Sequence, residues 1–281
     1  MAVSNKPTLL EVVRQRIRLK HYSHRTEKSY VHWIRRFVRF HNKRHPRELG
    51  KAEVEAFLTH LAVDRKVSAS TQNQAFNALL FLYRTVLEME MPQLDSVERA
   101  KKPRRLPVVL SSEQVRQVLS QLDGKYWIAG NLLYGSGLRL VECLRLRVQD
   151  IDFAMRQLVV RGGKGNKDRV TILPEAVIEP LNGYLQKVLT IHNRDIEKGL
   201  GQVYMPFALA RKYPHAASEW AWQFVFPSTT YIRDRDTGRM VKYHLHEKAL
   251  QRAIRNAVKA SSITTRATAH TLRHSFATHL L

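Results

Sequence analysis

Apolar residues recur every three or four positions through the first ninety residues, the spacing of helices with one buried face. TLLEVVRQRIRLK predicts a first helix. HRTEKSYVHWIRRFVRFHN predicts a second, with Tyr30, Ile34, Phe37 and Val38 on its apolar stripe and Arg35, Arg36 and Arg39 largely off it. KAEVEAFLTHLAVDR and SASTQNQAFNALLFLYRTVLEME complete a four-helix set. The pattern then fails. Residues 92–107, PQLDSVERAKKPRRLP, set prolines around a basic run with few large apolar side chains, which is how a linker reads. A domain of residues 1–91 and another of 108–281 follow from that break.

The second region mixes periods. SSEQVRQVLSQL predicts a helix with Ser112 as N-cap and Glu113 in its first turn. YWIAGNLLYGSGLRLVECLRL is helical but interrupted at Gly135-Ser136-Gly137. QLVVRGG, the turn KGNKD and RVTILP form the clear hairpin. A helix is expected over about 175–191, an irregular stretch over 192–247, and a helix in EKALQRAIRNAVKA. AHTLRHSFATHLL opens another, capped by Thr268 or Thr271, with Leu272, Phe276 and Leu280 along one face. The fold class is therefore mainly α with one small β-hairpin.

Charge changes the picture. Forty-seven Lys and Arg against 24 Asp and Glu leave a net of +23. Residues 1–105 hold 22 basic and 10 acidic side chains, and the rest hold 25 and 14, so both halves are basic. A polyanion touching the whole molecule fits this balance, nucleic acid above all. The single cysteine, Cys143, excludes an internal disulfide and suits a reducing cytoplasm. No apolar run approaches the roughly 18 residues that span a membrane.

Three segments carry candidate chemistry. In GSGLRLVE, Arg139 follows two glycines near a helix start, where a guanidinium offers an anion two parallel donors. In GGKGNKD, Lys164 sits at a hairpin tip; no GK[ST] opens a helix after it, so this is not a Walker loop. In HTLRH, His270 and Arg273 stand at i, i+3 on one helix face. Two arginines, a lysine and a histidine suit phosphodiester chemistry well. They can hold the phosphate, neutralise charge on its oxygens and give a proton to the leaving oxygen. Taken singly, Arg139 also reads as a surface or capping residue, Lys164 as a solvated turn lysine and the second helix's arginines as a solvated face. His270 and His274 stand at i, i+4, but no carboxylate or cysteine has ligand spacing, so no metal is expected.

In this order (Arg139 in G-x-G-L-R-x-x-E, Lys164 in a GKGxK hairpin, then H-x-L-R-H) the chain resembles the tyrosine site-specific recombinases over essentially its whole length. Within them it is most similar to the integron integrases, on YVHWIRRFVRFHNKRHP, ALARKYPHA and WAWQFVFP, and residues 192–247 match an insertion which that family carries. The resemblance implies a helical, SAM-like core-binding domain and a mixed α+β catalytic domain, closing as a C-shaped clamp, with the linker's Lys101, Lys102, Arg104 and Arg105 on DNA. It implies that Arg139 and Arg273 hold the scissile phosphate, that Lys164 is the general acid, and that His270 assists. Glu142 would be the supporting acidic residue, and His274 a motif residue with a structural role. The partners implied are folded single-stranded cassette sites, a duplex attachment site and, at full length, three further copies of the protein; no cofactor is needed and the place is a bacterial cytoplasm.

That family continues past the closing motif with a second histidine and the nucleophilic tyrosine, whereas all ten tyrosines here precede Arg273. The expectation is a piece of a longer open reading frame. Two other readings stay open: a DNA-binding chain without catalysis, and a phage- or Xer-type recombinase acting on duplex sites. Across residues 213–246, aromatics lie among bases, the composition of a stacking platform for unpaired nucleotides. Trp220, Trp222, Pro227, Tyr243 and His244 are the candidates for gripping extruded bases. WAWQFVF also reads as a buried strand, and its alternation favours one face in the core and the other free.

Overall fold

The computed structural model describes residues 7–89, 106–163, 167–205, 207–234 and 237–280. Lys101, Lys102, Arg104, Arg105 and Lys164 lie outside the described residues. The chain divides into two compact units, Met1–Arg105 and Leu106–Leu281. No helix among the described residues is long and apolar enough to cross a membrane.

Among its described residues the first unit has four α-helices: α1 (Leu9–Leu19), α2 (His24–Phe40), α3 (Lys51–Val63) and α4 (Ala69–Phe81), the last running into a π-turn at Leu82–Val86. Each start has its cap. The Glu11 and Glu53 carboxylates accept from the backbone N–H groups of Thr8 and Gly50, and Ser23 and Ser68 accept from Thr26 and Thr71. Ile34 and Phe37 of the predicted stripe are buried with Ile17, Phe57, Leu61 and Leu79, and Trp33 joins them. Tyr83 fills the centre and donates its hydroxyl to the Leu49 carbonyl at 3.0 Å. Arg35 and Arg39 are exposed, off the stripe as their spacing predicts, while Arg36 lies over the Trp33 ring.

The second unit packs α5 (Ser112–Leu119), α6 (Gly124–Gly135), α7 (Leu140–Arg145), α8 (Glu175–Glu197), α10 (Glu247–Ala260) and α11 (Ala269–His279) into one core. The cap of α5 is Ser111, not Ser112: the Ser111 hydroxyl accepts from Gln114 N–H, and Gln114 closes the box on the Ser111 N–H. Thr268 caps α11, leaving Thr271 as the reciprocal partner. Leu272 is buried and Phe276 half-buried on that helix, but Leu280, expected on the same face, is 66% exposed. The helix is held to the unit's first residues by the Ser275 hydroxyl, which accepts from Leu110 N–H at 2.9 Å. An antiparallel sheet of order β1 (Ile151–Asp152), β2 (Gln157–Val160), β3 (Arg169–Ile172) flanks the helices. Leu158 and Val160 of β2 are buried, yet β3 turns Arg169 and Thr171 inward and leaves Val170 and Ile172 exposed. That inversion follows from where the polar pair bonds, at α7 and at the Ser136 carbonyl.

Residues 192–247 are more regular than their composition suggests. The helix α8 passes the expected 191 and ends at Glu197, because His192 is not a polar stop: it is buried and hydrogen-bonds the Ser218 carbonyl. A short α9 (Phe207–Lys212) follows, then a second hairpin, β4 (Pro227–Arg233) and β5 (Met240–His244). WAWQFVF is not an alternating strand. Trp220–Trp222 is a 3-10 turn, and Gln223, Phe224, Val225 and Phe226 are buried in succession. A small separate cluster of Val203, Met205, Ala216 and Phe224 forms here. Arg147 anchors it, donating to the Trp222 and Tyr204 carbonyls with its guanidinium 4.6 Å from the Phe224 ring centre. Lys242 of β5 pairs with Asp195 of α8, closing the hairpin onto the helix.

Candidate functional site

The loop Ser136–Arg139 brings the chemistry together. Arg139 is the N-cap of α7, and Glu142, three residues on, accepts from the Arg139 backbone N–H at 2.8 Å and from its Nη1 at 2.7 Å. The GLRLVE spacing is therefore a capping box whose cap residue also pairs through its side chain. The six residues of α7 are too short a helix to supply an anion site by dipole, and the Glu142 carboxylate already fills its N-terminus. Affinity for an anion must come from the guanidiniums.

Two more arginines reach the same carboxylate. Arg169 donates Nη1 to Oε1 at 3.1 Å and Nη2 to Oε2 at 2.6 Å. Arg273 of α11 places Nη1 3.7 Å from Oε2 and donates to the Gly137 carbonyl. Three guanidiniums around the carboxylate they share leave two positive charges in excess, at one-quarter to one-third side-chain exposure. The arrangement can bind a dianionic or developing-anion oxygen group and stabilise charge on it.

Protonation follows the same geometry. Burial works against the Glu142 charge, but the hydrogen bonds from Arg169 and Arg139 outweigh it and hold its pKa at about 2, against an ordinary 4.5. Arg273 is pushed down by burial first and by Arg139 second. A folded-state pKa below the unfolded one means that Glu142 stabilises the fold fully above about pH 4.5, and that this share is lost as pH falls toward 2. We expect the stability of Glu142→Gln to fall less steeply than that of wild type between those limits, as read by urea titration across pH. Parallel curves would remove the carboxylate from this role.

Gly137 makes the convergence possible. Its φ is +59°, and a Cβ there would stand 2.4 Å from Cδ1 and 2.5 Å from Cε1 of Phe276. Gly137→Val is expected to destabilise the protein by about 2–4 kcal/mol, from left-handed strain and overpacking together. Urea unfolding at neutral pH checks this, and wild-type stability would show that α11 yields freely.

Of the residues singled out from sequence, Arg139, Glu142 and Arg273 meet. His270 is exposed in the first turn of α11, with its ring 6.2 Å from that of His274. His274 is exposed too, so the structural role expected of it is not one of filling the core. Lys164 lies outside the described residues; beyond it, the Lys167 carbonyl accepts from Gly163 N–H at 3.0 Å. Arg169 was missed. RVTILP reads only as a strand, and nothing in its local pattern marks the first residue as a partner of Glu142.

The five candidate grip residues stand on the Trp220–Trp222 turn, on β4 and on β5. Trp220 packs on the main core, with His192 5.9 Å from its ring, while Trp222 packs on the small cluster beneath Arg147. Tyr243 stacks on Tyr204 at 4.7 Å. Pro227 and His244 are cross-strand partners, and burial lowers the His244 pKa while its Nδ1 meets the Leu245 carbonyl. Each of the five is half-buried.

Comparison with known proteins bears on this geometry. Residues 9–93 match the family described as "Phage integrase, N-terminal SAM-like domain", and residues 108–281 match the "Phage integrase family". Proteins named "Integrase/recombinase" from Escherichia coli and Pseudomonas aeruginosa are each 47% identical over 97% of this chain and 81% of their own length. Among solved structures, a lambda integrase tetramer bound to a Holliday junction has the same fold, with a TM-score of 0.61 at 15% identity, covering 98% of this chain and 70% of that one.

Proposed function

The chain belongs to the phage integrase family of tyrosine recombinases, and from that premise we propose that its Arg139, Glu142 and Arg273 cluster holds a scissile DNA phosphate during strand exchange. The observation that carries this is the excess of two positive charges that Arg139, Arg169 and Arg273 leave around the single shared carboxylate of Glu142, built by residues of α7, β3 and α11. In the reaction, a tyrosine oxygen attacks phosphorus and the bond to the 5′ oxygen breaks, leaving a 3′-phosphotyrosyl link. Lys164 gives its proton to that 5′ oxygen, releasing a hydroxyl, while His270 takes up the tyrosine's proton. Attack by a second strand's 5′-hydroxyl reverses these steps, so the phosphodiester is restored without outside energy or a metal. Paired sites would be held by four copies, as in the lambda integrase tetramer.

The finer reading is an integron integrase, recombining gene cassettes as folded single strands. It is supported by ALARKYPHA and WAWQFVFP and by the aromatic and basic content of residues 192–247. Lys101, Lys102, Arg104 and Arg105 would contact the DNA backbone, and Trp220, Trp222, Pro227, Tyr243 and His244 the extruded bases. A Xer- or phage-type enzyme for duplex sites is the competing reading, which the packing of those half-buried aromatics against their own neighbours favours.

Two measurements test the proposal. Reading the gene past the Leu281 codon comes first: a frame passing through a histidine and a tyrosine supplies the nucleophile, and a stop codon there leaves a DNA binder. Gel-shift titration at one stated salt concentration then compares a folded bottom strand with the same sequence as duplex. Preference for the folded strand supports the integron reading, and preference for duplex overturns it.

A further inference from the structure

Arg169 stands at the first position of β3, five residues after Lys164. Neutralising Glu142 does not require it, since Arg139 already donates to one oxygen from the side chain and to the other from the backbone. What Arg169 adds is direction. Its guanidinium meets both carboxylate oxygens as a fork, which fixes the plane of one group against the other. The neck of the hairpin lies against the same spot. Gly163 N–H donates to the Lys167 carbonyl and Gly162 N–H to Asp168 Oδ1 at 2.8 Å. A Cβ on Gly163 would stand 3.2 Å from Arg169 Nη1 and 3.7 Å from Glu142 Oε1. Among the described residues four pairs join β2 to β3, a short ladder that alone fixes the hairpin's angle weakly.

We propose, resting on the strand-cleavage reading above, that Arg169 is a positioning residue: it ties β3, the outgoing arm of the hairpin that carries Lys164, to the carboxylate around which Arg139 and Arg273 gather. The acid and the phosphate clamp are thereby referenced to one group, Glu142. An error of about 1 Å in such a placement costs on the order of 10²-fold in rate.

The test uses the product of the complete open reading frame, as wild type, R169A and R169K. Each is given a recombination site whose scissile 5′-bridging atom is oxygen or sulfur. A thiolate leaves without a proton, so sulfur removes the need for a well-placed acid but not for the arginines. Both variants are expected to cleave the oxygen site about 10²-fold more slowly and to recover most of that loss on sulfur. R169K should gain little, because an ammonium has no fork. An oxygen rate within about threefold of wild type in R169A, or an equal loss on both substrates, would overturn the proposal.

Hydrogen exchange on residues 1–281 supplies a second readout that needs no cleavage. In R169A the amides of Gly162 and Gly163 are expected to exchange about tenfold faster, with those of α5 and α8 unchanged. Unchanged exchange at the two overturns the tether. If wild type cleaves neither substrate, the strand-cleavage reading falls, and the exchange result alone decides whether Arg169 holds the hairpin.

Discussion

Alanine at Arg273 is expected to slow strand cleavage by about 10²–10³-fold, while leaving the fold within about 1 kcal/mol of wild type. The two effects separate because the site is built against its own charge. Arg273 loses stability to burial and to repulsion from Arg139 and Arg169, and its attraction to Glu142 acts across 3.7 Å. Removing it costs the hydrogen bond to the Gly137 carbonyl and relieves that repulsion, and the two oppose each other. A phosphate in the cluster has no such compensation. It would lose a guanidinium donor from a partly dry site, where a donor counts for more than it does in water. Arg273→Lys should rescue little, since one ammonium cannot serve both Gly137 and an oxyanion in parallel. Single-turnover cleavage and urea unfolding read the two quantities. A variant that cleaves like wild type removes Arg273 from the clamp. One that loses several kcal/mol makes it a structural residue.

How far the sequence disclosed this site depends on the range of each contact. The four N-terminal helices were legible because burial there obeys one local period, and Ile34 and Phe37 sit where that period puts them. Arg139 was legible as a guanidinium beside a helix start, and Glu142 only through the resemblance; the box that joins them, closed over three residues, is the structure's own. Arg273 entered through its motif. Arg169 did not, because its partner lies 27 positions away and its strand inverts the usual pattern, with polar side chains inward and Val170 and Ile172 outward. A reader of alternation assigns those faces the wrong way round.

The irregular stretch expected over 192–247 differs from the structure for another reason. PSTTYIR and MVKYH carry the β-branched and aromatic content of strands, and DTG between them is a turn signal, so β4 and β5 were recoverable. The dense basic and aromatic composition drew attention to ligands instead of to pairing. The helix expected to end at about 191 runs on to Glu197, with the His192 ring buried against the Ser218 carbonyl. The aromatics proposed to grip bases are each already stacked or packed within the chain, which sequence composition has no means to reveal.

In the product of the complete open reading frame, Lys164→Ala is the second large effect expected: cleavage slower by about 10²-fold or more, with DNA affinity nearly intact. Affinity survives because one phosphate contact is lost among many on a chain whose net charge is +23. Rate does not, because a departing 5′-alkoxide at neutral pH needs a proton as the bond to phosphorus breaks. A sulfur at that position removes the need, so the variant should approach wild-type cleavage on the sulfur site while remaining slow on oxygen. Arg273→Ala should stay slow on both, since charge on the non-bridging oxygens is the same in either substrate. The pair of variants therefore divides the reaction into clamp and acid with one change of atom. If Lys164→Ala cleaves the oxygen site at the wild-type rate, the acid is not Lys164. Lys167, exposed at the same turn with its carbonyl held by Gly163, is then the residue to replace.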